Sequence, residues 1–165
     1  MNDLQSDQER FRLLDHIPMG ICVLRSDFVV VFWNRCLEDW TGLNRDRIVG
    51  TTIGTHFPHF NKKQYTIRLN DVMAGGPPTT FSAQLHEHLI PAPLWDGRLR
   101  MQHTVATAVP SIDNTCFYAL LAIQDVTDPM QRVQDYRTMR DQALEDVQQR
   151  QSAEIALAAA RLARH

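Results

Sequence analysis

The segment HFPHF at residues 56–60 places two histidines among two phenylalanines. A histidine can be the axial ligand of haem iron, and aromatic rings can flank the macrocycle. The segment therefore makes His56 and His59 candidate haem ligands, as a gas sensor would use. The competing interpretation is a polar and aromatic turn at a helix junction, broken by Pro58. No second sequence marker supports haem, so we expect no bound cofactor.

A second pair of histidines, His86 and His88, is separated by one residue. On a strand this spacing directs both side chains to one face, where they can chelate zinc. With His56 as a third ligand, the pair would suit a small metal-dependent enzyme. No nearby residue is an obvious third ligand, so a solvated edge strand is preferred and no metal site is predicted. The sequence also has no G-x-S-x-G motif and no phosphate-binding loop, so the chain is not predicted to be an enzyme.

The composition argues against several classes of partner. The formal charge is −2 over 165 residues, which provides no basic field for nucleic acid or for an anionic membrane surface. The longest wholly apolar run, residues 116–123, is far too short to span a bilayer. The polar N-terminus lacks the apolar core of a secretory signal. The three cysteines form no CxxC pair and are interpreted as reduced thiols of a cytoplasmic protein.

The first part of the chain mixes short helices and strands. Residues 4–15 carry the apolar stripe of an amphipathic helix. Two apolar runs, residues 21–26 and 29–34, are separated by a turn and predict a β-hairpin. Asn34 is a suitable N-cap for the next helix, because its side-chain oxygen can accept from a free backbone N–H. That helix is expected to end at Gly42.

A longer helix is predicted over residues 62–74, with Asn61 as its cap. Its apolar residues recur at helical spacing and should face the core. They are Tyr65, Leu69, Val72 and Met73.

After this helix the apolar pattern changes to a period of two residues, which is typical of β-strands. In the first of three such segments, Phe81 and Leu85 alternate with polar residues. The dipeptide Asp96-Gly97 marks a tight turn before the second. The third segment, residues 116–126, is the most apolar and is expected at the centre of a sheet.

Two strands, several short helices and then three strands predict an α+β fold. We expect a five-stranded antiparallel sheet with short helices packed on one face, plus an N-terminal helix and a long C-terminal helix. The expected division of the chain is an N-terminal helix at residues 1–15, a central domain at 16–128 and a C-terminal helix at 129–165.

The C-terminal segment predicts one long helix. Asp128 is a suitable cap and Pro129 suits the first helical position, and neither Gly nor Pro occurs from residue 130 to residue 164. Apolar residues recur at steps of three and four, although the heptad pattern is irregular because Arg140 occupies a core position. The segment predicts a weak parallel coiled coil and therefore a homodimer through helices. The alternative is a solvated helix ordered only by its neighbours.

The chain resembles a PAS domain, the small sensory module of many bacterial signalling proteins, over about residues 10–128. The resemblance rests on GICVLRSDFVVVFWNRCLEDWTGLNRDRIVG, on DVMAGGPP and on AIQDVTD, in this order and spacing. It implies that Asp125 and Thr127 tie the last strand to an outgoing signalling helix. The segment HLIPAPLW departs from the family pattern, because two prolines interrupt a strand junction and suggest a longer loop.

The resemblance also implies a cavity between the sheet and its helices. Strand alternation would place Val29, Val31 and Trp33 on one face and Val30 and Phe32 on the other. In the family the residue before the Asn faces the cavity, which makes Trp33 a ligand-binding candidate. Leu37 and Thr41 would follow on the same side, and His103 is the candidate for a hydrogen bond into the cavity. An ordinary packed core is the competing interpretation for all of them.

The resulting hypothesis is a cytoplasmic sensory and dimerisation module that binds a small ligand and relays a signal through its C-terminal helix. The output domain would be a diguanylate cyclase, because AAARLARH is similar to the linker before such domains, or a histidine kinase. The light-sensing subgroup is excluded, because the region GTTIGTHFPHF lacks its reactive cysteine. The alternatives are the haem gas sensor, the metal-dependent enzyme, and a ligand-free scaffold whose cavity is filled by Trp33, Leu37 and Thr41.

Overall fold

A computed structural model describes residues 3–86 and 88–164 of the chain. The chain divides into two compact units, the first ending at Val126 and the second beginning at Thr127. The sequence analysis placed the corresponding boundary at residues 128 and 129. Each unit is described by itself below.

The first unit is built on a five-stranded sheet with the order β2-β1-β5-β4-β3. All four strand pairs are antiparallel, so the predicted α+β sheet is confirmed. The most apolar strand, β5, lies at the centre as expected. The strands are β1 (Gly20–Leu24), β2 (Val30–Trp33), β3 (Thr79–Phe81), β4 (Gln102–Pro110) and β5 (Phe117–Asp125).

Helices occupy the ends and the long connection between β2 and β3. The N-terminal helix and the long C-terminal helix are both present, as predicted. The helices are α1 (Asp3–Phe11), α2 (Arg35–Thr41), α3 (Arg45–Ile48), α4 (Ile53–His56), α5 (Lys63–Met73), α6 (Ala83–His86) and α7 (Thr127–Leu162). Two short 3₁₀ segments, Arg12–His16 and Pro58–Asn61, link them.

The register gives the sheet two distinct buried faces. On the inner face, Trp33 pairs with Cys22, Cys22 with Leu121 and Leu121 with Ala106, and all four side chains are buried in one core with the helices that follow β2. On the outer face, Ile21 and Val23 pack in a second cluster with Phe11 of α1. The main core therefore lies between the sheet and helices α2 to α5.

Helix α5 carries the predicted apolar stripe, and all four of its residues are buried. Its predicted cap is wrong. Asn61 belongs to the preceding 3₁₀ segment, and Lys62 occupies the capping position without a side-chain cap. Asn61 instead packs so close to Gly54 that a Cβ there would lie 2.2 Å from its Oδ1.

The expected strand over residues 79–89 is interrupted after three residues. The carbonyl of Ser82 accepts hydrogen bonds from the amides of Leu85 and His86, at 3.3 and 3.0 Å, so the chain turns into α6. Leu85 is 81 % exposed and does not continue the inner face begun by Phe81. Local hydrogen bonding to Ser82 overrides the period-two pattern here.

The second unit is α7, which has 36 residues and a length of about 54 Å at 1.5 Å per residue. It begins one residue before the predicted cap Asp128, a difference typical of helix ends. None of its described residues is buried. Across the described residues, no helix combines the length and apolar character needed to cross a bilayer.

Candidate functional site

A β-bulge in β2 reorders the side chains around the candidate cavity. Trp33 pairs with Cys22 and Phe32 with Val23, but Leu24 pairs with Val30, so Val31 is the extra residue. As a result, Val30 and Trp33 share the inner core while Val31 and Phe32 share the outer cluster. The predicted face of Trp33 is correct, whereas its predicted companion Val31 lies on the other side.

Trp33 and Leu37 are both fully buried in the inner core. The indole N–H of Trp33 donates a 3.1 Å hydrogen bond to the carbonyl of Leu43, which fixes the ring orientation. Leu37 packs directly on Gly20 of β1, where a Cβ would lie 2.6 Å from Leu37 Cδ2. The structure therefore brings these two predicted residues together.

Thr41 lies at the last turn of α2 and is only half-buried. Its hydroxyl donates to the carbonyl of Leu37 at 2.6 Å and accepts from the amide of Leu43 at 3.1 Å. The hydroxyl closes the end of the helix, together with Gly42 in the left-handed conformation. Thr41 thus positions the loop that holds the Trp33 indole.

Asn34 does more than cap α2. Its Oδ1 accepts from the amides of Ile21 at 3.0 Å and Leu37 at 3.2 Å. Its Nδ2 donates to the carbonyls of Leu14 at 3.1 Å and Met19 at 2.8 Å. This fully buried amide joins the N-terminal segment, β1 and α2. Capping propensity identified only one of its four bonds.

A continuous series of aromatic rings occupies the inner side of the sheet. The Phe57 ring stacks on Trp33 with centroids 6.2 Å apart, and Tyr65 lies 5.9 Å from Phe81. His59 bridges the two ends, at 6.4 Å from Phe57 and 5.7 Å from Tyr65. Phe57 is only partly buried, whereas the Trp33 ring on which it stacks is fully buried.

His103 lies on the opposite face from the one expected. The buried residues of β4 are Gln102, Thr104 and Ala106, and His103 alternates with them. Because Ala106 belongs to the inner core, His103 points away from Trp33. The prediction that His103 bonds into the cavity is wrong, because the apolar-looking face of β4 is the outer one.

Thr104 is the inner-face polar residue that the sequence analysis missed. It is fully buried, and its Oγ1 has no hydrogen-bond partner among residues 3–86 and 88–164. Thr104 pairs with the core residue Ile123 of β5. Assigning the faces of β4 from the apolar residues of β5 could therefore have identified Thr104 as an inner-face residue.

The haem hypothesis is not supported by the placement of its two histidines. The Nε2 atom of His56 lies 3.0 Å from Oγ1 of Thr51, and Nε2 of His59 lies 2.6 Å from the carbonyl of Leu89. The His59 ring is also packed between Phe57 and Tyr65. As they stand, these two imidazoles do not fit an axial haem site.

The histidine pair at residues 86 and 88 does not lie on a strand. His86 ends α6 and its Nε2 accepts from Arg68 Nη1 at 3.0 Å. Nδ1 of His88 lies 2.9 Å from the carbonyl of Arg100. Within the described part of the chain, no group of three or more His, Cys, Asp or Glu residues could hold a metal ion. The metal-enzyme alternative required His86 and His88 on one face of a strand, and the structure has helix α6 in place of that strand.

An ionic cluster fixes α2 and α3 to the N-terminal segment. Arg45 binds Asp15 with both Nη atoms, at 2.9 and 3.0 Å, and binds Glu38 at 2.7 Å. Burial acts to raise the pKa of Asp15, but hydrogen bonds from Arg45 and from the Arg35 amide prevail and hold that pKa below its ordinary value. The hydrogen bond from Arg45 likewise lowers the pKa of Glu38.

Asp125 ends β5 immediately before the second unit. Its carboxylate lies 3.8 Å from Nη1 of Arg100, and the Arg100 guanidinium lies over the Trp40 ring at 5.2 Å. The amide of Val126 donates to the carbonyl of Met101 at 2.8 Å. The last residues of the first unit are therefore held by groups that reach back to α2.

Comparison with known proteins agrees with this architecture. A family model described as the PAS fold matches residues 14–131. No curated protein gives a significant match to the sequence.

Several solved structures have a similar fold. The PAS domain of BvgS from Bordetella pertussis has a TM-score of 0.58 and 17 % identity, covering 86 % of this chain and 99 % of that one. A sensory box sensor histidine kinase from Vibrio cholerae has a TM-score of 0.54 and 22 % identity, covering 74 % and 94 %. A PAS domain from Colwellia psychrerythraea has a TM-score of 0.52 and 17 % identity, covering 72 % and 95 %.

Proposed function

The chain belongs to the PAS family of sensory domains, and from that premise we propose that it is a homodimeric signalling module that relays through α7 to an output domain. The observation that carries the proposal is that side-chain contacts fix the end of β5 to α2. Asp125, Arg100 and Trp40 connect the end of β5 to α2, and Leu37 of α2 packs on Gly20 of the central sheet. A rearrangement of the core would thereby change the strand end from which α7 begins.

The exposed apolar residues of α7 support dimerisation through this helix. Val133 is 44 % exposed and Val147 is 52 % exposed, and they are separated by two heptads. Tyr136, one helical turn from Val133, is 72 % exposed. In a parallel pair of helices these side chains would be buried against their copies.

Light scattering tests the dimer. We expect Val133→Asp combined with Val147→Asp to convert the dimer to a monomer, because two charges would be buried at the helix seam. Gln148→Asp adds a charge to the same helix outside the seam and serves as the control. A monomeric wild-type chain, or equal masses for all three proteins, would refute dimerisation through α7.

A small ligand in the inner core is the second part of the proposal. Phe57 is a partly buried ring that stacks on Trp33, and its movement would open a space bounded by Trp33 and Leu37. The hydroxyl of Thr104 supports this proposal, because a buried polar atom without a described partner could bond a ligand. Native mass spectrometry of the freshly purified chain tests it. Retained mass that Trp33→Ala removes would support it, and mass equal to the bare chain would favour the ligand-free scaffold.

The output domain is proposed to be a histidine kinase or a diguanylate cyclase. One of the similar structures is a sensor histidine kinase, which favours the first. The resemblance of AAARLARH to a cyclase linker favours the second. We propose a cytoplasmic location for the module, and the module itself is proposed to have no catalytic activity.

A further inference from the structure

A cavity of about 320 Å³ lies at the outer side of the sheet, remote from the aromatic core. This volume is at the lower end of small-molecule sites, which span roughly 300–1,000 Å³. Its walls come from α1, from the turn after β1 and from the connection between β4 and β5. The lining residues include Leu4, Ser6, Asp7, Arg25, Ile112 and Tyr118.

Carboxylates dominate the charge of this cavity. Asp3, Asp7 and Asp113 line it together with Arg25. The Arg25 guanidinium is already held by Asp27, at 3.0 and 2.7 Å, so its charge is neutralised locally. Arg10 also acts on Asp7, but it lies outside the lining and its Nη1 donates to the carbonyl of Pro110. The three lining carboxylates therefore leave a negative balance, which favours a cation.

Asp7 provides the binding group. It is only 3 % exposed, and its Oδ2 accepts a 3.0 Å hydrogen bond from the hydroxyl of Tyr118. Its Oδ1 is buried and has no hydrogen-bond partner in the described residues. Burial raises the pKa of Asp7, although the Tyr118 hydrogen bond opposes this, so the charged form of this carboxyl group is disfavoured. A positively charged donor would satisfy the unpartnered Oδ1 and would also stabilise the ionised form of the Asp7 carboxyl group.

We propose that this cavity binds a small primary amine in its ammonium form, with one N–H donated to Oδ1 of Asp7. The alkyl part of the amine would contact Leu4 and Ile112, which line the same cavity. An inorganic cation is a poorer fit, because the described residues form no group of three or more metal-ligating side chains. The bound amine would strengthen the link between α1 and β5, to which Asp7 and Tyr118 belong.

The test is a titration of the full 165-residue chain with n-butylammonium chloride, followed by NMR shifts of Tyr118 and of the Asp7 carboxyl. We expect saturable shifts with butylammonium and none with the neutral isostere n-butanol. Asp7→Asn should weaken binding by at least about tenfold, because it removes a charge-assisted hydrogen bond. The control Asp71→Asn removes a carboxylate from α5, outside the cavity, and should bind like the wild type.

A second variant tests the cavity without changing its charge. Ser6→Phe should fill the space and abolish the shifts while circular dichroism stays unchanged. Three results would overturn the proposal: no saturable shift, equal shifts with butanol, or equal shifts with sodium or calcium chloride at matched ionic strength. Unchanged binding in Asp7→Asn, or in Ser6→Phe, would overturn it as well. None of these outcomes depends on α7 or on the Trp33 core, so this proposal and the signalling proposal fail separately.

Discussion

Leu37 packs so closely on Gly20 that a Cβ on the glycine would lie 2.6 Å from Leu37 Cδ2 and 3.1 Å from the Trp40 ring. The contact sets the distance between α2 and β1. Trp40 also carries the Arg100 guanidinium that approaches Asp125. One missing methyl group therefore positions both the candidate core site and the groups that hold the end of β5.

Gly20→Ala should force α2 away from β1. Because the new methyl group meets two large side chains, we expect a loss of about 1–3 kcal/mol in the free energy of unfolding, as overpacked cores show. Urea unfolding measures the loss. Gly97→Ala is the control, because a Cβ at Gly97 would meet no atom within 4 Å. Its loss of stability should reflect only the strain of a positive φ, 84°. Leu37→Ala alone should cost about 2–5 kcal/mol, but combined with Gly20→Ala the loss should be smaller than the sum of the two single losses, because the shorter side chain leaves room for the new methyl group. A purely additive double variant would contradict the contact.

Trp33→Ala should cost about 3–5 kcal/mol, as large-to-small changes in packed cores do. The ring is fully buried, stacks on Phe57 and donates to the carbonyl of Leu43. Trp33→Phe should cost less, because an aromatic ring remains and only part of the volume and the N–H hydrogen bond are lost. Equilibrium unfolding in urea compares the two. A cost near zero for Trp33→Ala would show that the ring borders an open cavity instead of a filled core.

The Arg45 cluster predicts a defined pH dependence of stability. The folded-state pKa values of Asp15 and Glu38 lie below their ordinary values of 3.8 and 4.5. The unfolded chain therefore binds protons first as the pH falls, so the cluster stabilises the fold fully above these ordinary values and less below them. Arg45→Gln should lower stability at pH 7 and flatten the dependence between pH 6 and pH 3.

Thermal unfolding of both proteins across this pH range checks the prediction. Arg47→Gln removes an exposed charge from the same helix and is the matched control. If the melting temperatures of Arg45→Gln and of the wild type changed with pH in parallel, a stabilising role of Asp15 and Glu38 would be contradicted.

Periodicity and turn chemistry predict most of this fold. The hairpin of β1 and β2, the cap at Asn34, the apolar stripe of α5 and the long α7 all follow from local patterns. The structure differs from these predictions at two places, and at each of them a single residue changes the local backbone geometry. The extra residue Val31 reverses the expected alternation in β2, and hydrogen bonds to Ser82 convert a strand pattern into α6.

The candidate site is less predictable, because it depends on contacts between distant segments. Trp33 and Leu37 could be placed by the strand and helix they occupy. His103 could not, because the face of β4 that looks more apolar in the sequence is the outer one, and only the pairing with β5 shows which face is buried. The three other bonds of Asn34, to Leu14, Met19 and Ile21, and the Asp7–Tyr118 bond join residues farther apart in sequence, and no local pattern encodes them.

The most direct test of the signalling account is a distance measurement between the α7 helices of a dimer. A spin label at Gln148→Cys, in a background with Cys36→Ser and Cys116→Ser, reports this distance by double electron–electron resonance; the third thiol, Cys22, is fully buried. The account predicts one well-defined intermolecular distance, which shifts in Asp125→Asn and is unchanged in the control Arg98→Gln. No intermolecular signal, or the same distance distribution in Asp125→Asn as in the unmodified background, would contradict it.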